Sequence, residues 1–175
     1  MTMDAEKKLK TYSAMAETTR KWVTIMDAKA AFISTLNAGL LAFIWTGARL
    51  AVERHEVYLI ALAATGFSFA SLLVALRIVL PKFSWLSVSG KYVEYKKEFK
   101  PVSFFGYVAK TYPLKSDAKF IKDVEAMTEA ELAREALEQH FVTSHVAQYK
   151  SNLLLLAGAC FAIGLLLAGT ALALK

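Results

Sequence analysis

Cysteine is nearly missing from this chain, and with it go whole classes of chemistry. Cys160 stands alone in 175 residues, so no disulfide forms within one chain and no Cys/His framework for a metal is expected. Cys160 lies inside an apolar run, where a lone thiol serves as a small packing residue. The nucleotide and catalytic signatures are missing too. There is no Walker A loop, no dinucleotide glycine pattern, no G-x-S-x-G and no H-E-x-x-H. His140 and His145 are five apart on one predicted helix, which puts them on different faces, so they are not expected to share a metal. The acids between Asp117 and Glu138 are interspersed with bases and alanines, as on solvated helix faces. We expect no enzyme and no cofactor. Charge is also missing, in one place at a time. From Ala30 to Ala48 there is not one charged residue, a run of 19 residues. As a helix that run is about 28 Å long, close to the thickness of a bilayer's hydrocarbon core.

What is present explains the absences. Hydrophobic residues make up 56% of the chain, above the roughly 45–50% of an ordinary soluble domain. The excess is gathered into three blocks, Ala30–Ala48, Val57–Leu80 and Leu153–Leu174, with strongly charged sequence between them. That alternation is expected of a small polytopic membrane protein. The first 25 residues are polar and charged, so no cleavable signal peptide is expected and the spans themselves direct insertion.

Before the first block, Leu9, Tyr12, Ala16, Thr19, Val23 and Met26 recur at spacings of three and four, with Lys7, Lys8, Lys10, Glu17, Arg20 and Lys21 filling much of the rest. This is an amphipathic helix. Neither Pro nor Gly separates it from the first block, so a continuous helix is predicted from about Asp4 to Ala48. The short stretch Arg49–Glu56 forces a hairpin to the second block, and Pro81 ends that block. Phe83 and Trp85 follow, as in an interfacial aromatic belt.

The central region, residues 81–150, has 11 Lys/Arg against nine acids. Pro113 predicts a turn. Asp117 is read as an N-cap, with Phe120, Ile121, Val124 and Met127 as one helical face. Thr128 and Glu131 fit a capping box, with Met127 and Leu132 as its hydrophobic staple. Nothing breaks the helix from about Glu129 through the third block. The fold class read from all this is an all-α membrane protein, with three transmembrane helices whose long cytoplasmic extensions pack with a small helical cytoplasmic region. Its parts are an amphipathic helix at 1–29, a transmembrane hairpin at 30–80 (spans about 30–48 and 57–80), the cytoplasmic region at 81–150 and a third span at 153–174.

Bases set the topology. Residues 1–29 carry six, the central region 11, and Arg77 adds one, whereas the other side has only Arg49, Arg54 and Lys175. Cytoplasmic segments carry the excess. The N-terminus and residues 81–150 are therefore expected in the cytoplasm and the C-terminus outside. The net charge of +6 is better explained by this asymmetry and by anionic lipid than by nucleic acid, so neither DNA nor RNA is expected as a partner.

Two groups of residues admit a functional reading. Ser34, Thr35 and Asn37 lie inside the first span, where polar groups face a partner helix or a pore; interhelical hydrogen bonding is the plainer of the two. Gly164-x-x-x-Ala168 and Gly66-x-x-x-Ala70 suit close helix packing within or between subunits, and a homo-oligomer is expected. The second group is the basic, aromatic stretch Lys91–Lys110. Tyr92, Tyr95, Phe104, Phe105 and Tyr107 can stack a base, and Lys91, Lys96, Lys97 and Lys110 can meet a phosphate. Of these, Lys91, Tyr95, Lys97, Phe105, Tyr107 and Lys110 are the candidate ligand residues. From the residues alone, a juxtamembrane segment bound to lipid head groups is the plainer alternative.

Three stretches in order resemble a known family. They are Met26-Asp-Ala-Lys-Ala-Ala-Phe-Ile-Ser-Thr-Leu-Asn-Ala-Gly-Leu-Leu41, then Ser103-Phe-Phe-Gly-Tyr-Val-Ala109, then Thr143-Ser-His-Val-Ala-Gln-Tyr-Lys-Ser-Asn-Leu153. The sequence resembles the Pycsar effector family of membrane proteins (PycTM), with Asp27, Lys29, Phe104, Phe105, Gly106 and Lys150 as the family-like positions. The resemblance implies an anti-phage effector of the bacterial inner membrane. It would respond to a cyclic pyrimidine mononucleotide, cUMP or cCMP, and impair that membrane in abortive infection. It supplies no residue-level ligand site, and the sequence carries no recognised cyclic-nucleotide-binding cassette. The SLATT group of membrane effectors, with a two-span hairpin, is similar but fits the third span less well. A membrane scaffold or anchor without ligand is the reading from a different class.

Overall fold

Four α-helices carry the described residues. The structure is a computed structural model and describes residues 4–80, 102, 108, 111–114 and 116–175. About 89% of these are helical and none is in a strand. Helix α1 is Ala5–Ala42, followed by a π-helical turn at Phe43–Gly47 and a 3-10 turn at Leu50–Val52; α2 is His55–Val79, α3 is Asp117–Glu125 and α4 is Glu129–Ala173.

The helix ends follow from local chemistry. Asp4 begins α1, its Oδ1 accepting from the Ala5 N–H at 2.8 Å. The helix predicted to run to Ala48 leaves α geometry at Ala42, and the Ala48 N–H reaches back to the Phe43 carbonyl at 2.7 Å. Arg49 then takes a left-handed conformation, φ 52°, to start the turn. A non-glycine residue pays sterically for that conformation, which the hydrogen bonds around the turn must hold. Leu80 is extended because Pro81 follows it. Ser116, not Asp117, is the N-cap of α3; Asp117 sits in the first turn, where its charge faces the helix dipole. At α4 the capping box is present in both directions. The Glu131 N–H donates to Thr128 Oγ1 at 3.3 Å, and the Thr128 N–H donates to Glu131 Oε2 at 2.8 Å.

The chain divides into two compact units. The first comprises Met1–Arg20 and Ser87–Ser144; the second comprises Lys21–Leu86 and His145–Lys175. Helices α1 and α4 contribute residues to both.

In the first unit, Ala16, Thr19, Tyr112, Ala133 and Glu135 are buried. Tyr112 anchors α3: its ring meets Phe120 edge-on at 5.2 Å and its hydroxyl donates to Asp123 Oδ2 at 2.8 Å. Of the face expected on α3, Phe120, Val124 and Met127 are half-buried and Ile121 is exposed.

The second unit packs α1, α2 and α4 along a seam of small residues. On α2 the buried positions are Val57, Ala61, Ala64, Ser68, Ser71, Ala75 and Ile78, an unbroken alternation of four and three. On α1 the same alternation links Ala30, Ile33, Asn37 and Leu40 and carries on to Ile44 in the π-helical turn, and on α4 it links Ala157, Phe161, Gly164, Ala168 and Ala171. A seven-residue repeat of this kind keeps one stripe facing its neighbours under a left-handed supercoil. Gly164 lets α4 come close to α2: a Cβ there would lie 2.8 Å from Ser68 Oγ and 3.3 Å from the Ala64 carbonyl, so the neighbours would have to shift. Gly66, by contrast, is exposed and meets nothing, so the Gly66–Ala70 pair is not part of this seam.

Three helices are long and apolar enough to cross a membrane: Ala5–Gly47, His55–Val79 and Glu129–Ala173. Only 17–28% of each apolar window is buried within the chain. Phe32, Phe69, Leu155 and Leu166 are among the large side chains left facing outward, as lipid requires.

Candidate functional site

Polar side chains interrupt the buried stripes of α1, α2 and α4 in a few places, and these are the positions that physical chemistry marks out. In the first unit, Thr19 Oγ1 and His140 Nδ1 lie 2.9 Å apart. Beside them Arg20 donates to Gln139, whose Nε2 donates to the buried Glu135 at 3.2 Å. An acid this buried needs partners, and the glutamine supplies one. A groove of about 260 Å³ in the same unit is lined by Ala5, Lys8, Tyr12, Ala130, Ala133, Arg134 and Leu137. Arg134 also pairs with Glu138 one turn along α4, at 3.1 Å.

In the second unit the Lys150 ammonium is paired with the Asp27 carboxylate, the two side chains 17% and 35% exposed. Further along, Asn37 Nδ2 donates to the Ile33 carbonyl at 2.9 Å and across to Ser71 Oγ at 2.8 Å. Ser71 in turn donates to the Ala157 carbonyl at 2.7 Å. One hydrogen-bonded chain therefore joins α1, α2 and α4 in the middle of their apolar stretches. At the far end Lys175 meets Glu53 at 3.1 Å and the Ala48 carbonyl at 2.7 Å, and Arg54 donates to the Leu174 carbonyl at 3.1 Å. The chain terminus is thereby fastened to the α1–α2 turn. Trp45 Nε1 donates to Thr65 Oγ1 at 3.0 Å and braces the π-helical turn against α2.

Of the residues singled out in the sequence, Asp27 and Lys150 are brought together, and Lys29 is exposed. Asn37 bonds across helices, whereas Ser34 and Thr35 each donate to a carbonyl one turn back in α1. The candidate ligand residues Lys91, Tyr95, Lys97, Phe105, Tyr107 and Lys110 lie outside the described residues, as do Phe104 and Gly106. Ser68 and Ser71 were not singled out. Their signal was positional: two hydroxyls at alternating spacing with Ala61, Ala64 and Ala75.

Thus the stretch around Asp27–Asn37 and the stretch around Lys150, far apart in sequence, meet on one seam. A family model described as the Pycsar effector protein domain, PycTM, matches residues 11–175, which takes in the whole of that seam. The chain belongs to the Pycsar effector family. No curated protein and no solved structure matches it. Membership makes this a membrane protein of the Pycsar anti-phage effectors, whose systems imply a cyclic nucleotide signal. In this Pycsar effector the matched region takes in the second and third of the helices long and apolar enough to cross a membrane, and the first from residue 11 onward.

Proposed function

We propose that this Pycsar effector responds to a cyclic pyrimidine mononucleotide, cUMP or cCMP, and impairs the bacterial inner membrane, with no catalytic step of its own. The observation that carries the reading is the sharing of helices. Helices α1 and α4 supply both the first unit and the membrane seam, so a shift of either helix in one unit is available to the other. The distribution of bases favours the first unit in the cytoplasm, where a nucleotide signal would appear, and the Arg49–Glu56 turn and Lys175 outside. In the first unit, Lys8 and Arg134 offer cations for a phosphate and Tyr12 a ring for a base. The Lys91–Lys110 stretch offers the same chemistry.

The test is a thermal-shift panel on detergent-solubilised full chain with cUMP, cCMP, cAMP and cGMP. Selective stabilisation by one pyrimidine nucleotide is expected, because a ligand that binds only the folded state raises stability by mass action. No shift with any of the four, in protein shown to be folded, overturns direct sensing.

A further inference from the structure

The middle of the membrane seam holds polar atoms that its packing does not satisfy. Asn37, Ser68 and Ser71 are each 0% exposed. Among the described residues, Asn37 Oδ1 and Ser68 Oγ have no hydrogen-bond partner. The layer lies between two apolar collars. Toward the α1–α2 turn are Leu40, Ile44, Ala61, Ala64, Ala168 and Ala171; toward the other end are Ala30, Ala75, Ile78 and Ala157. An unpaired polar atom is most unfavourable where no water reaches it. Asn and Ser in membrane helices ordinarily bond across to a neighbouring helix, and a polar atom left without that bond is one that water or an ion in a path would satisfy. Packing alone would be better served by alanine at 68, as on the same face at 61, 64 and 75. Instead a hydroxyl is held there against bare backbone at Gly164.

We propose that Asn37, Ser68 and Ser71 line a path for water and monovalent cations, shut here by the two apolar collars and opened when α4 moves off α2. The proposal rests on the effector reading and names the lesion. Amide and hydroxyl oxygens are neutral donors that replace part of the hydration shell of K⁺ or Na⁺, whereas a divalent ion calls for carboxylates. Narrow collars of Ala, Leu and Ile gate by excluding water. Such a path dissipates ion gradients without releasing larger solutes.

The experiment uses the full chain in vesicles loaded with K⁺ and calcein, and follows both. Gly164→Val places branched carbons against Ser68 and the Ala64 backbone and wedges α4 away from α2. It is expected to raise K⁺ efflux about tenfold over the parent chain with calcein retained and no nucleotide added, the shift that roughly 1.4 kcal/mol of strain gives a two-state equilibrium. Adding Asn37→Leu is expected to abolish that efflux. In a Cys160→Ala background, Ser68→Cys is expected to react with a small water-soluble methanethiosulfonate only when Gly164→Val is present. Three results each overturn the path: calcein leaving with K⁺, efflux undiminished by Asn37→Leu, or no efflux and no thiol reaction in protein that circular dichroism shows to be helical. None of these arms needs a nucleotide. Failure of the nucleotide panel therefore sinks the sensing reading and leaves the path standing, and the reverse holds for failure here.

Discussion

Ser68 and Ser71 stand three residues apart on one face of α2, both fully buried, yet alanine at the two positions is expected to move stability in opposite directions. Ser71 Oγ accepts from Asn37 Nδ2 at 2.8 Å and donates to the Ala157 carbonyl at 2.7 Å. Ser71→Ala removes both interhelical bonds. Such bonds in membranes are worth about 0.6 kcal/mol on average and up to about 1.7, so the loss is roughly 1–3 kcal/mol. The Asn37 amide then keeps only the Ile33 carbonyl. Ser68 Oγ has no partner to lose among the described residues. Ser68→Ala removes a buried unsatisfied hydroxyl, whose desolvation costs about 1–3 kcal/mol, against one atom's packing. The net expectation is a gain of roughly 1 kcal/mol.

Reversible unfolding in lipid bicelles, by denaturing detergent or by steric trapping, reads both values on one scale. A cycle with Asn37→Ala isolates the cross-helix bond: Asn37 and Ser71 are expected to couple by about 0.5 kcal/mol or more, and Asn37 and Ser68 by less. If Ser68→Ala destabilises as much as Ser71→Ala, the Ser68 hydroxyl is paired, and the argument that the layer is under-satisfied fails.

Four further outcomes follow from the same geometry. Thr128→Ala removes the hydroxyl that accepts from the Glu131 N–H, while the backbone N–H at 128 keeps its bond to Glu131, and is expected to cost about 1 kcal/mol, seen as faster hydrogen exchange in the first turn of α4 and unchanged exchange beyond Phe141. Lys150→Met is expected to cost no more than about 1 kcal/mol, since its partner Asp27 is 35% exposed. The charge-reversed pair Asp27→Lys with Lys150→Asp should recover most of that, and zero coupling in the cycle contradicts the pairing. Val142→Pro, inside α4, removes a helix bond at about 3 kcal/mol or more; it is expected to abolish toxicity in cells while membrane insertion persists, and undiminished toxicity refutes transmission along α4. A C-terminal reporter that works only outside the cytoplasm should be active, and activity of a cytoplasm-only reporter at Lys175 contradicts the topology.

The buried face of the polar first half of α1 was legible in the sequence because contrast revealed it. Leu9, Tyr12, Ala16, Thr19, Val23 and Met26 stand out against lysines, and each is buried or half-buried. Within the spans that contrast vanishes, because the lipid-facing side is as apolar as the core. There the seam shows only in residue size and polarity at a fixed spacing. Reading glycine alone selected Gly66, which faces outward, and passed over Ser68 and Ser71, which do not. Side-chain reach sorted the polar residues of α1. Ser34 and Thr35 are short enough to satisfy themselves on their own helix, while Asn37 carries a second donor that must look across. Asp27 and Lys150 are 123 residues apart, and no local pattern pairs them. What pairs them is register. Asn37 donating to Ser71, and Ser71 to Ala157, fix how α1, α2 and α4 align, since a single polar residue in a seven-residue seam specifies register. Seven residues before Ala157 is Lys150, and ten before Asn37 is Asp27, so the alignment made in the middle of the membrane brings those charges within reach of each other.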